Sequence, residues 1–317
     1  MEQLLTNLPM NVSVISCTIK FGTLLKMRPR LVGVMDLFAE LDSKKLTTIQ
    51  IDFLKRRILF CQRVSLVFTV AYSLVVTTST LNAALSKGQN LMFYVWTPYD
   101  YRQSERVYWA TLGFQYFAMM WLALENMTND LIGPLYFIML NAHLKIVIER
   151  IQGVGWNRMK TKEENCRELL ECIEDHRLIM KMFDVLESNL SFAMFTQFAS
   201  TAITVAMELM FAIFYPFSFT QISMLLVSAF SSALEILPCC YYSNDFMVQT
   251  NGIVTAIYSS NFYEQSKEFQ KTMIIFMQMT QKAKVVSAGK MFPVTLATFA
   301  SIMKTSYTLL TVASQLR

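Results

Sequence analysis

The sequence predicts an all-α, polytopic membrane protein, because of its composition, its six long apolar stretches and the uneven charge of its loops. Of its 317 residues, 54% are hydrophobic and only 16% are charged, with a mean hydropathy of +0.36. Soluble domains carry about 25% charged residues. The 22 Met, 24 Phe and 13 Tyr fit an adaptable apolar cavity, and they fit ordinary helix packing in lipid equally well.

Six apolar stretches have the length of about 20 residues that crosses the hydrocarbon core of a bilayer. We predict spans at residues 9–26, 60–84, 107–124, 191–214, 221–240 and 291–314. The first ten residues hold no basic segment of the kind that opens a signal peptide, so the first stretch is interpreted as a span.

The basic residues are concentrated in alternate loops. Residues 26–58, 144–185 and 240–290 contain eight, eight and five Lys or Arg, whereas the opposite loops and the carboxyl terminus contain four. The positive-inside rule therefore predicts that these three segments are cytoplasmic and that the carboxyl terminus is extracellular. The pI of about 8.8 follows from this topology, and no nucleic-acid partner is expected.

Two of the cytoplasmic segments show helical periodicity. Apolar residues recur at helical spacing in 165–190 and in 268–285, with charged residues between them. We predict amphipathic helices there, each packed against a partner surface. No linker, low-complexity tract or internal repeat divides the chain, so we predict a single domain over residues 1–317.

Catalytic chemistry has little support in the sequence. His143 and His176 both lie on predicted amphipathic helices, where a packed or solvated imidazole is expected. The six Cys form no C-x-x-C pair, and nothing resembles a phosphate-binding loop or a nucleophile elbow. We predict a protein that is not an enzyme and that holds no metal or cofactor.

Several polar residues interrupt the apolar stretches, and an intramembrane charge usually faces the protein interior or water. They are Lys20, Glu125, Asn126, Asn129, Asp130, Glu235 and Lys304. We interpret 125–130 as the point where the third span reaches the cytoplasmic interface and continues as a solvated helix.

Three blocks of the chain resemble insect odorant receptors. "YVWTPYDYRQSERVYWATLGFQYF" (94–117) is similar to their Trp-x-Pro-aromatic-Asp loop and the span after it. "LEILPCCYYSNDFMVQTNGIVTAIYSSNFYE" (234–264) resembles their sixth span and the helix that follows. "MIIFMQMTQKAKVVSAGKMFPVTLATFASIMKTSYTLLT" (273–311) resembles their carboxyl-terminal signature. The blocks occur in the family's order and cover nearly a third of the chain.

The resemblance implies a ligand-specific subunit of a ligand-gated, non-selective cation channel. Such a subunit forms a heterotetramer with a common odorant co-receptor in the plasma membrane of olfactory sensory neurons, and its ligands are small volatile odorants. The family has seven spans, with an extracellular carboxyl terminus. The first span predicted here, with Lys20 and the later "LFAELDSKK", matches the family's second, so the resemblance implies a span upstream of it.

The resemblance also implies a pocket and a pore. The pocket lies in the extracellular half of the membrane, and the matching outer ends contain Ser13, Cys17, Tyr72, Val75, Ser79, Phe114, Phe117, Met120, Trp121, Ser223 and Met224.

The resemblance also implies that the last span lines the pore, with Ser301, Thr305, Thr308 and Thr311 on the face in contact with water. The terminal "TVASQLR" implies an apolar constriction formed by Val312, Gln315 and Leu316. Packing between neighbouring helices remains the alternative for these last positions.

Three alternatives stay open from the sequence. A gustatory receptor of the same superfamily would end in Thr-Tyr-x5-Gln-Phe, whereas this chain has Leu309 and Leu316 in place of the Tyr and the Phe. The co-receptor itself is disfavoured because the segment near 150–165 is short. A secondary transporter would have two halves with matching interrupted spans, and no such halves are seen.

Overall fold

A computed structural model describes the backbone of residues 2–44, 46–86, 91–93, 96–214 and 219–315. The side chains of 2–10, 207–232, 306–307, 309–310 and 312–315 lie outside what the structure describes.

Long helices make up nearly all of the described chain. They are α1 (Glu2–Asp42), α2 (Thr48–Leu85), α3 (Glu105–Gly153), α4 (Lys162–Phe214), α5 (Phe219–Tyr258), α6 (Lys267–Met279) and α7 (Leu296–Gln315), with a short hairpin of β1 (Ser287–Ala288) and β2 (Phe292–Pro293) before α7. α3 packs against α2 and α5, and α1 packs against α4. Each of the first five predicted spans lies within one helix, which confirms the all-α prediction.

The last predicted span, 291–314, begins five residues before the helix that contains most of it. Residues 291–295 belong to the hairpin and the turn after it, and the helix begins only at Leu296. Gly289 and Lys290 both have positive φ, at 58° and 57°, and the Met291 amide donates to the Ala288 carbonyl at 3.0 Å, so these two residues form a tight turn within the three-residue loop between the paired Ala288 and Phe292. The Gly289 amide donates to the Ser191 carbonyl at 2.9 Å, so the turn is attached to α4.

The first five helices extend well beyond a membrane. α4 has 53 residues, which at 1.5 Å per residue gives about 80 Å, against about 30 Å of hydrocarbon. The additional length packs into an apolar core at the predicted cytoplasmic end, where α1, α3, α4, α5, α6 and the hairpin meet. Phe137, Phe183 and Phe246 form its centre, with the rings of Phe183 and Phe246 stacked at 4.8 Å.

The two predicted amphipathic helices are confirmed. Residues 165–190 form part of α4, and α6 covers most of 268–285. Phe269, Met273 and Phe276 form the buried side of α6, at the spacing that the sequence indicated. The Ser266 hydroxyl accepts from the Phe269 amide and caps the start of this helix.

Within the part of the chain that the structure describes, α2 and α3 are the helices whose length and apolar composition alone suffice for crossing a membrane.

Candidate functional site

Lys20 is the centre of a buried polar cluster. It lies on α1 and is 4% exposed. Its Nζ donates to Gln197 Oε1 at 2.6 Å, to Asp130 Oδ1 at 2.7 Å and to Asn126 Oδ1 at 3.0 Å. An ammonium group has three donors, and here each has an acceptor.

A second set of contacts extends the cluster to two more helices. The Tyr72 hydroxyl on α2 donates to Asp130 Oδ2 at 3.2 Å. On α4, Gln197 Nε2 donates to Glu235 Oε2 of α5 at 2.7 Å. We call Lys20, Tyr72, Asn126, Asp130, Gln197 and Glu235 the polar cluster. The cluster connects all five helices from α1 to α5 at one level. Its ion pair, Lys20 with Asp130, combines two charges that would each be very unfavourable alone in a membrane.

The interpretation of 125–130 as a solvated helix was wrong at Asp130. This carboxylate is 5% exposed and is fully engaged with Lys20 and Tyr72. The reason is that its partners come from other helices, so the sequence of α3 alone does not reveal them. The signal that could have found the pair was a Lys and an Asp in separate apolar stretches, each too costly to bury alone.

Two predicted pocket residues lie beside the polar cluster. Cys17 precedes Lys20 by three residues on α1 and is buried, with the Asn129 amide 3.8 Å from its Sγ. Tyr72 belongs to the cluster itself. The structure therefore places both residues at the level of the polar cluster.

The other predicted pocket residues are not gathered there. Phe114, Phe117 and Trp121 share one face of α3 and are 74%, 74% and 72% exposed. Ser13, Val75 and Ser79 are exposed as well, Met120 is half-buried, and the side chains of Ser223 and Met224 lie outside the described residues. The pocket as a whole stays a prediction.

The buried side of the amino-terminal end of α3 is formed by residues that the sequence pattern did not single out. Tyr108 donates to the Ala83 carbonyl at 2.7 Å. Gln115 accepts from the Met92 amide and donates to the Phe93 carbonyl, each at 3.1 Å. Tyr108, Leu112 and Gln115 recur at helical spacing, and this was the available signal. They hold the loop after α2 against the carboxyl-terminal end of α2 and the amino-terminal end of α3.

One face of α7 is polar and exposed. Ser301, Lys304, Thr305 and Thr308 lie on it. The hydroxyls of Thr305 and Thr308 donate to the carbonyls four residues earlier, both at 2.9 Å. The opposite face packs against the core through Phe299 and Ile302. Val312 and Gln315 lie on α7 without described side chains, and Leu316 is outside the described residues.

Both histidines are packing groups in the half of the protein that the loop charges predict to be cytoplasmic. The His143 ring lies 5.3 Å from that of Phe38, and burial lowers its pKa. The His176 ring meets Phe276 edge-on at 5.2 Å. Burial, followed by the charge of Lys284, lowers the pKa of His176 to about 4. Neutral, packed imidazoles are what the sequence indicated for both.

Long helices joined by a buried, charge-paired cluster at membrane level define a polytopic helical membrane protein. The particular family follows from comparison with known proteins. The model of the 7tm odorant receptor family matches residues 1–307, and the chain belongs to this family. This decides the choice between the olfactory and gustatory branches in favour of the olfactory one. Membership also confirms the membrane assignment and the prediction that the protein is not an enzyme.

Relatives in Drosophila melanogaster agree with this assignment. Odorant receptor 33a is 30% identical over 252 residues, which are 79% of this chain and 66% of that receptor. Odorant receptor 33b is 28% identical over 285 residues, covering 89% of this chain and 74% of that one.

Solved structures show the same fold. The insect olfactory receptor OR5 from Machilis hrabei superimposes with a TM-score of 0.82 at 18% identity, covering 100% of this chain and 82% of that one. Its complex with eugenol gives a TM-score of 0.76 at 19% identity, covering 99% and 82%.

Proposed function

We propose that this chain is the odorant-specific subunit of a ligand-gated, non-selective cation channel in the plasma membrane of olfactory sensory neurons. It assembles with a common odorant co-receptor as a heterotetramer, and it binds small volatile molecules within the membrane. The single observation that carries the channel part of this proposal is the polar face of α7.

That face has properties that lipid contact does not explain. Lys304 lies about 12 Å along α7 from its start, at 1.5 Å per residue, and a Lys at such depth needs water or a partner. The neighbouring hydroxyls of Thr305 and Thr308 are already bonded within the helix, so they need no partner helix. Because the other face packs on the core, the polar face is free to line an aqueous path that further subunits complete.

We further propose that this path closes near the extracellular end of α7. Val312 is the proposed constriction, with Leu316 one turn beyond it, because a narrow apolar neck excludes water. Val312→Ser keeps the side chain small and adds a hydroxyl. It is expected to increase the current without odorant, most clearly when the co-receptor carries the matching change.

The proposed odorant pocket lies in the outer half of the membrane, on the extracellular side of the polar cluster. Cys17 and Tyr72 fit its inner end by their burial and contacts. Phe114, Phe117 and Trp121 would form a wall only if the pocket opens onto the exposed face of α3. Binding would come mainly from apolar burial, at about 25 cal/mol per Å². The eugenol complex of the similar receptor supports a small apolar ligand of this kind.

Cysteine accessibility along α7 tests the channel proposal. Ser301, Thr305 and Thr308 are replaced singly by Cys, in a background where the partly exposed Cys61 and Cys166 are Ser. A charged, membrane-impermeant thiol reagent should block odorant-evoked current at these positions in complexes with the co-receptor. Ile302→Cys is the matched control on the packed face and should be unaffected.

Equal reactivity at Ile302 and Thr305, or no block at any polar position in channels that conduct, would contradict the pore assignment of this face.

A further inference from the structure

The start of the second predicted span carries a group of unpaired basic side chains. Arg56, Arg57 and Arg63, together with Phe53, Leu59 and Phe60, line an open groove of about 480 Å³ on α2. Within the described part of the chain, no acidic side chain forms an ion pair with any of these three. An arginine at the membrane boundary is stabilised by water or by a counter-charge, and a bound anionic group would supply that counter-charge to all three.

A fourth cation lies at the edge of this groove. Lys145 of α3 and Arg57 both lie over the Phe53 ring, with the charged atoms 5.5 Å and 5.1 Å from its centroid. A narrow cleft beside Phe53 and Arg57 is lined by Lys145 and also by Asp245 and Gln249 of α5. Asp245 accepts from Gln249 at 3.0 Å. On α2, Asp52 is the nearest acidic residue along the chain, and its carbonyl accepts from Arg56 at 3.3 Å. The positive charge exceeds the negative charge on this side of α2.

Arg56 and Arg57 lie before the predicted span, and Leu59 and Phe60 follow them, as an acyl chain follows the headgroup in a phospholipid, whereas Arg63 lies deeper. Arg56 and Arg63 are seven residues apart, which is two turns or about 10 Å of axis. Arg56 precedes the predicted span from 60 to 84, whereas Arg63 lies just inside it. Leu59 and Phe60 are exposed between them and offer apolar contact. An arginine at this depth extends its guanidinium towards the headgroup level.

We propose that this groove binds an anionic phospholipid of the cytoplasmic leaflet. The phosphate and the charged headgroup contact Arg56, Arg57 and Arg63, with Lys145 at the edge, and an acyl chain lies along Leu59 and Phe60. Guanidinium groups bind phosphate oxygens with two parallel hydrogen bonds, which a lysine does not reproduce. The assignment to the cytoplasmic leaflet rests on the proposed orientation of the chain. The binding of an anionic phospholipid in the groove would be the same in either orientation.

The test is lipid binding by the purified full chain in detergent, followed by native mass spectrometry. Phosphatidylserine is titrated against phosphatidylcholine at 0.1 M salt, without odorant or co-receptor. The wild type should retain phosphatidylserine in preference to phosphatidylcholine. Each Arg→Gln change should weaken phosphatidylserine binding about fivefold, and the triple change R56Q/R57Q/R63Q on the order of a hundredfold. Binding of phosphatidylcholine should not change.

A second triple variant is the matched control. Lys267→Gln, Lys271→Gln and Lys282→Gln remove the same net charge from exposed positions on and after α6. This control should bind phosphatidylserine as the wild type does. If it loses as much affinity as the α2 variant, or if the α2 variant loses none, the groove is not the site.

If the triple variant does not fold, two further measurements still test the proposal. Arg63→Gln should weaken binding about fivefold, whereas Arg63→Lys, which keeps the charge, should recover part of the loss. Soluble glycerophosphoserine should compete poorly, because it lacks the acyl chains. Equal competition by the soluble headgroup would contradict a lipid site. The lipid-binding assay contains neither odorant nor co-receptor, so a negative result there does not bear on the proposed channel function, and the two proposals are judged separately.

Discussion

Lys20 on α1 and Asp130 on α3 form an ion pair with 2.7 Å between Nζ and Oδ1, and their side chains are 4% and 3% exposed. They are 110 residues apart in the chain. Because the remaining donors of Lys20 reach Asn126 and Gln197, this pair fixes how α1, α3 and α4 align at the inner end of the proposed odorant pocket.

Breaking this pair from one side should be more damaging than removing both charges. Lys20→Met or Asp130→Leu alone leaves a buried charge without its partner, which typically costs about 3–5 kcal/mol. The double variant should recover much of that loss, since an apolar pair of similar volume replaces the ion pair. Thermal unfolding of the detergent-solubilised chain measures this.

Lys26→Met on the same helix is the matched control, because Lys26 is exposed. It should leave the melting temperature unchanged. Additive losses in the double variant would show that Lys20 and Asp130 act independently.

The order of odorant potencies tests the proposed pocket. Tyr72→Phe removes the hydroxyl that donates to Asp130 and should change that order if the inner end of the pocket lies there. Trp121→Ala should change it as well, by removing a large apolar wall. Because Trp121 is 72% exposed, this requires that the pocket opens on its side of α3. If the current falls for every odorant and the order of potencies is unchanged, the substituted residue contributes to folding or contacts lipid and does not line the pocket.

The free energy of unfolding should decrease at acidic pH, because His176 is harder to protonate in the folded chain than in the unfolded chain. Burial and Lys284 lower its pKa from the ordinary 6.5 to about 4, so between these values the unfolded chain binds the proton and the folded chain does not. Stability is therefore complete above pH 6.5 and decreases as the pH falls towards 4. His176→Gln should make the melting temperature less dependent on pH across this window. An identical dependence in the variant would show that His176 is already protonated in the folded state.

Orientation is tested by a tag after Arg317. The loop charges predict that this end is extracellular, so an antibody should bind the tag on intact cells. A tag inserted after Lys160, in the loop between α3 and α4, should be reached only after permeabilisation. The reverse pattern would overturn the topology.

Sequence patterns were sufficient for the helices and the family but not for the interior of the bundle. In lipid, an apolar helix face gives no sign of whether it contacts acyl chains or other helices, because both are apolar. The pattern of α3 therefore did not distinguish the exposed side of Phe114 and Phe117 from the buried side of Leu112 and Gln115. Lys20 and Asp130 were both recognisable as costly charges, but the sequence did not show that they are partners, because they lie on different helices.

The most direct test of the proposed function is a recording from cells that express this chain together with the odorant co-receptor. A chemically broad panel of volatile compounds is applied while whole-cell current is measured, with the co-receptor alone as the control. The proposal predicts odorant-evoked currents that carry Na⁺ and K⁺ with little discrimination and that are absent from the control. Silence across the panel, both from this chain at the cell surface and from a version with an amino-terminal span supplied by a relative, would contradict it.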